Sequence, residues 1–204
     1  MKDVPQSMLI YQADTARKCG GCQLCCKLVP VSDNVVGLHK PANTRCPYQR
    51  HHKGCTIYAR KPWACATYSC RWLLGNDTAD MPRPDRAHYV IDPVPDFVRV
   101  VDKKTGELQQ NIEVVQVWID PDYPDAHRDP ALRRYLLRRG EEGIAAIIRF
   151  GSKRGFPLIP PNMNDAREWI EVRDGIQGPQ NTFADYLAAA EQNQRLAAKR
   201  KETV

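Results

Sequence analysis

Eight cysteines fall within the first 70 residues and none follows; the run opens Cys19-Gly20-Gly21-Cys22-Gln23-Leu24-Cys25-Cys26. Four thiols in eight positions cannot all be core side chains, whereas thiolates three residues apart converge readily from one loop onto a metal centre. The N-terminal eleven residues have no sustained apolar region, and nothing later approaches a membrane-spanning length. The expectation is therefore a cytosolic protein with no membrane partner. Thiols stay reduced in that compartment, which favours metal ligands or redox groups over a disulfide framework.

Cys19, Cys22 and Cys25 stand at i, i+3 and i+6, the spacing by which iron–sulfur proteins wrap a short loop around three corners of a cluster. A fourth ligand must come from elsewhere. Cys-x-x-Cys serves zinc equally well, so the cofactor expected is an iron–sulfur cluster, slightly ahead of zinc. Gly20 and Gly21 lack Cβ, which lets the backbone turn sharply and aim amide N–H groups at sulfur. Cys25 and Cys26 are adjacent, and neighbouring side chains diverge. They serve different centres, or Cys26 is a free thiol, reactive or simply buried.

Cys46, Cys55, Cys65 and Cys70 complete the candidate ligands. Pro62 suits the first turn of a helix, placing Cys65 near its N-terminus, where the dipole favours thiolate. Cys65 and Cys70 lie five residues apart, about 500° of helical rotation. If both bind one centre, the helix must end between them. His51 or His52 could replace a cysteine, although exposed loop histidines are the plainer reading.

The first 75 residues hold 11 Lys and Arg against 3 Asp and Glu, in a chain whose net charge is +6. A basic segment invites a nucleic-acid reading, but thiolate ligation of a metal would offset much of that charge and weaken it. With 204 residues and 42% hydrophobic composition, the chain can bury one good core.

The polar, proline-bearing stretch 76–85 divides the chain. The expected organisation is a loop-rich cysteine-cluster metal-binding segment over 1–75, an α+β domain over 76–180 and a C-terminal helix over 181–204. Tyr89–Asp92, Phe97–Val101 and Ile112–Ile119 read as strands of a small antiparallel sheet, and 102–107 supplies a turn using Gly106. Asp129 is a candidate N-cap before Pro130, with Leu132, Leu136 and Leu137 on one face and an end near Gly140. Ala145–Phe150 is a further strand candidate. Thr182 with Asp185 begins a last helix whose apolar face is Phe183, Leu187 and Ala190.

Three other groupings carry plainer readings. Asp120, Asp122, Asp125, His127 and Asp129 could hold a hard cation, but Pro121 and Pro124 favour turn and cap. Arg133, Arg134, Arg138 and Arg139 read as a solvated helix face. Trp63, Tyr68 and Trp72 should cover a metal site with apolar bulk.

The pattern Cys19-x2-Cys22-x2-Cys25-Cys26, Cys46-Pro47, Gly54-Cys55-x-Ile57-Tyr58-x2-Lys61-Pro62-x2-Cys65-x4-Cys70 resembles the bacterial cysteine-cluster family of zinc- or iron-chelating domains. The resemblance covers roughly residues 15–74. That family usually has Arg where Lys61 and Ala66 stand, which touches no ligand but puts any arginine-dependent anion contact in doubt. The resemblance implies metal binding by these eight cysteines. Some family members are protein lysine methylases using S-adenosylmethionine, but no strand with a glycine-rich turn here suits that cofactor. Gly151-Ser152-Lys153-Arg154-Gly155 reads as a surface turn. The function expected is a structural or redox metal centre joined to a domain that recognises a protein partner or substrate. A metal-dependent, methylase-like enzyme and a basic zinc module on nucleic acid are the alternatives.

Overall fold

The computed structural model describes residues 17–31, 38–50, 53–102, 104–173, 181 and 183–202. The fold is α+β and centres on one long strand. Strand β5 (Leu108–Ile119) is paired along one edge by β3 (Tyr89–Ile91) and β4 (Asp96–Val101), both antiparallel and set end to end. Along its other edge runs β6 (Ala145–Gly151), in parallel register from Val114↔Ala145 to Trp118↔Arg149. Two further antiparallel strands, β7 (Arg154–Ile159) and β8 (Ile170–Glu171), extend the sheet. The sheet is therefore mixed, because β5 and β6 are joined by a helix rather than a hairpin.

The turn between β4 and β5 forms as the sequence predicts. Gly106 takes φ +72 and its N–H reaches the Asp102 carbonyl at 2.9 Å. Helix α5 (Pro130–Glu141) is capped by Asp129, whose carboxylate accepts from the Ala131 and Leu132 amides. Leu132, Tyr135 and Leu136 face the sheet, against Val117, Ile119, Ala146, Ile148, Phe156 and Leu158. The stretch 151–155 turns β6 into β7. A Cβ on Gly155 would lie 2.4 Å from the Ile148 carbonyl oxygen, so only glycine fits that pairing.

Helix α6 (Phe183–Glu202) closes the chain, but its buried face differs from the expected one. Tyr186 and Ala189 are enclosed, while Leu187 and Ala190 are exposed. Amide chemistry fixes this rotation: Asn193 accepts from the Asn111 amide (2.8 Å) and donates to its carbonyl (2.7 Å). Thr182, and with it the predicted capping box, lies outside the described residues.

Five more short helices or strands carry the cysteine segment and its exit: α1 (Leu24–Leu28), β1 (Gln49–Arg50), β2 (Gly54–Cys55), α2 (Trp63–Thr67) and α3 (Arg71–Leu74). Helix α4 (Pro84–Ala87) follows and leads into β3. The segment sits on the sheet face opposite α5, where Leu24 and Leu28 pack against Val90 and Trp118. The polar stretch 76–85 is packed as well, since Thr78 is fully buried and Met81 belongs to the main core. Leu28→Ala is expected to cost about 2–5 kcal/mol in chemical denaturation, because it opens a cavity at a site with no solvent exposure. A loss below about 1 kcal/mol would mean that the segment does not share the sheet's core.

On this same face Asp92 is buried beside Trp118, whose indole N–H donates to it at 2.9 Å. Burial pushes the carboxyl up to about 6, against the help of the Val94 amide and the Trp118 indole. The folded chain thus holds this proton more tightly than the unfolded chain. Its contribution is present at low pH and is lost as pH rises through the folded value, a fall of about 2–3 kcal/mol between pH 4 and 7. Asp92→Asn removes the titrating group, so urea melts of the variant should show a flatter pH dependence over that window. Parallel curves for the two proteins would contradict this.

Candidate metal centre

Arg17 fixes the entry to the cysteine loop. Its guanidinium donates to the Trp72 carbonyl (2.7 Å), the Thr78 hydroxyl (3.0 Å) and the Thr78 carbonyl (2.9 Å), and lies 4.8 Å above the Trp72 ring. That contact holds Cys19 close to the stretch carrying Cys70. Gly20 takes φ +53 in the tight turn that follows, closed by the Cys22 amide on the Cys19 carbonyl at 2.9 Å. Helix α1 then starts and carries Cys25 and Cys26 on neighbouring positions, 100° apart around its axis.

The chain returns to this loop from the far side. Helix α2 ends at Thr67 and α3 begins at Arg71, so Tyr68, Ser69 and Cys70 lie in an extended break between them. The helix does end between Cys65 and Cys70, and each cysteine faces different company. A cavity of about 40 Å³ is lined by Cys19, Cys22, Cys25 and Cys70, with Tyr68, Trp72, Leu73 and Val90 among its walls. Cys25 and Cys70 also rest on the Leu28–Trp118 cluster.

The other four cysteines lie around the β1–β2 hairpin and α2. The Cys46 amide donates to the Cys26 carbonyl at 3.1 Å, the Gln49 amide to the Cys46 carbonyl at 3.0 Å, and Gln49 pairs with Cys55 across the hairpin. Gln23, at the foot of α1, donates to the Arg50 carbonyl and accepts from Gln49 at 2.9 Å. After burial, the influences on Cys65 are the charges of Cys26, Cys46 and Cys55, which raise it, and of Lys61, which lowers it.

Burial pushes most of these thiols up. Cys22 and Cys70 are both raised to about 11 by desolvation, with nearby backbone amides pulling the other way. Cys25 is raised well above the usual thiol range, first by donating to Cys26 and then by burial. That same hydrogen bond is the main cause lowering Cys26, to about 7, with Lys40 and Lys61 adding their charge. Cys65 is raised by burial rather than lowered by its helix, because five residues of α2 carry little dipole and its neighbours are thiols.

Among the described residues, no three His, Cys, Asp or Glu side chains already stand in ligating geometry about one point. The thiols instead meet nearby acceptors, as Cys19 does at the Cys22 carbonyl, 3.4 Å away. The donor chemistry nonetheless fits a sulfur-seeking metal, since four cysteines line one small cavity. Tyr68, which lines the cavity, adds an orphaned polar atom: its hydroxyl is buried without a hydrogen-bond partner, near Asp92, Cys25 and Cys70. A buried O–H costs free energy unless it is satisfied, and it marks this wall as a place for an acceptor.

Several expectations change here. The amides acting on the Cys22 sulfur are those of Leu24 and Asp85. Tyr68 and Trp72 do cover the cysteines, but Trp63 is 79% exposed. The hydroxyl of Tyr68 and the buried ammonium of Lys40 escaped the sequence reading, because neither sits in a periodic or paired pattern. Lys40 is 3% exposed and donates to the Lys27 and Pro41 carbonyls at 3.1 Å each. Lys61 lies 4.4 Å above the Tyr58 ring, and its charge acts on Cys19, Cys26 and Cys65. Ala66 is exposed. His51 and His52 lie outside the described residues.

The acidic stretch 120–129 serves turns, caps and pairing. Lys27 bridges Asp120 (2.6 Å) and Asp122 (2.8 Å), and His127 lies between the Pro124 carbonyl and Glu171. The helix arginines are used within the fold: Arg134 pairs with Asp80, Arg138 donates to the Asp77 carbonyl, Arg139 pairs with Glu142, and Arg133 stacks over Trp169. No helix among the described residues is long and apolar enough to cross a membrane. No protein-family model, curated protein or solved structure matches the chain.

Proposed function

We propose that this is a metal-binding protein of the cysteine-cluster kind, whose zinc or iron–sulfur centre plays a structural or redox role beside an α+β domain. The observation that carries the reading is the cavity lined by Cys19, Cys22, Cys25 and Cys70 together with Tyr68, whose buried hydroxyl has no partner. Cys26, Cys46, Cys55 and Cys65 complete the thiol set. A bound metal supplies a thiolate cross-link if zinc, and electron storage if iron–sulfur. The chain's own part is to hold the thiols, to offer the Tyr68 O–H as a donor to sulfur, and to exclude water with Trp72, Leu73 and Val90. The α+β domain serves an as yet unidentified protein partner or substrate.

The test is elemental analysis with an absorption spectrum on protein purified without oxygen. Iron with acid-labile sulfide and visible charge-transfer absorption supports a cluster, and zinc in colourless protein supports a structural site. Substoichiometric metal, unaltered when all eight cysteines become serine in a chain that still folds, overturns the reading.

A further inference from the structure

We infer that the eight cysteines form two centres: an inner one held by Cys19, Cys22, Cys25 and Cys70, and an outer one held by Cys26, Cys46, Cys55 and Cys65. This division rests on the metal-binding reading above and extends it. The inner set makes up all the cysteines that line the cavity. The outer set is tied together by backbone contacts, from Cys26 to Cys46 and from Cys46 through Gln49 to Cys55, with Cys65 brought to the same group at α2.

Helix geometry explains how one segment feeds both. Cys25 and Cys26 project about 100° apart from α1, and although their thiols now hydrogen-bond to each other, that divergence lets each turn to its own side when a metal replaces the proton between them. Cys25 turns toward the Leu24–Trp118 cluster and the cavity. The Cys26 carbonyl accepts from the Cys46 amide at the entry to the hairpin, and beyond its bond to Cys25 the Cys26 thiol feels the charges of Lys40 and Lys61. The break at Thr67–Cys70 does the same downstream, sending Cys65 and Cys70 to different sets.

The two centres differ in environment. The inner one is walled by Tyr68, Trp72, Leu73 and Val90. The outer one has exposed Tyr58 and Trp63 nearby and two lysines. A competing chelator should therefore strip the outer metal first.

The experiment titrates full-length, metal-loaded protein with a chelator, pulses it with iodoacetamide, and maps alkylated cysteines by mass spectrometry alongside bound metal. Metal is expected to leave in two equal portions: the first exposes Cys26, Cys46, Cys55 and Cys65, the second Cys19, Cys22, Cys25 and Cys70. Cys65→Ser and Cys70→Ser should each halve the metal content, and the double variant should hold none. Release in one step, or cysteines labelled in any other grouping, overturns the division while leaving metal binding intact. Eight thiols labelled at once in protein that never held metal overturns the metal reading itself. Tyr68→Phe, which removes only the buried hydroxyl, should speed release of the second portion and leave the first unchanged.

Discussion

Stripping metal from the protein is expected to loosen residues 17–75 while the central sheet stays folded. Among its described residues the segment has little regular structure of its own. Its helices run five, five and four residues, too short to persist on propensity, and its hairpin pairs two residues per strand. Neither α2 nor α3 has a fully buried side chain. Leu24 and Leu28 contribute about 1.5–3 kcal/mol each by burial, whereas a structural thiolate–metal site contributes about 10 kcal/mol or more. Amide hydrogen exchange measures this directly. Protection across 17–75 should fall by about three orders of magnitude on metal removal, corresponding to roughly 4 kcal/mol of local stability, while β5 and β6 amides keep theirs. Unchanged protection in the segment, with the metal verifiably gone, would contradict the account.

Asp96→Ala is expected to destabilise the protein by about 3–5 kcal/mol, because it strands a buried guanidinium. Arg149 and Asp96 meet at 2.9 Å with side chains 2% and 0% exposed. Arg149 also donates to Gln116 at 2.7 Å, but its Nη1 has no protein partner, so no spare acceptor is ready to replace the carboxylate. Asp96 in turn accepts from the Phe97 amide at 2.8 Å and from Asn181 at 2.6 Å, linking the start of β4 to the approach to α6. Thermal denaturation should show a fall of about 10 °C, given some 2–4 °C per kcal/mol for a chain of this size. Removing both charges, in Asp96→Ala with Arg149→Met, should recover at least about 1 kcal/mol of that loss. A single variant within about 1 kcal/mol of the parent would show that the pair is not buried as described.

The strands around Val90, Val98 and Val115 were legible because β-branched runs bounded by turn residues have few other uses. The start of α5 was legible because Asp129-Pro130 states its cap in local chemistry. Arg149 was not: a charge inside the run 145–150 suggests solvent, and only the tertiary fold supplies its buried partners, Asp96 and Gln116. The strand β7 hides behind Pro157, and β8 is two residues long, too short for any periodic signal. The parallel pairing of β5 with β6 depends on α5 crossing between them, which alternation cannot encode. For α6, the apolar residues pointed to Leu187, but amide bonds from Asn193 turned Tyr186 and Ala189 inward instead. The eight thiols were legible as a set. Their surroundings were legible in part: Tyr68 and Trp72 cover them as expected, but the unpartnered Tyr68 hydroxyl and the buried Lys40 arise only when the separate pieces of the segment meet.

The central claim is that sulfur from these cysteines binds metal. X-ray absorption at the metal edge, on protein purified without oxygen, measures that shell directly. About four sulfur neighbours per metal are expected at roughly 2.3 Å, with iron neighbours beyond them if a cluster is present. A shell dominated by oxygen or nitrogen, persisting when Cys19, Cys22, Cys25 and Cys70 are all replaced by serine, would contradict it.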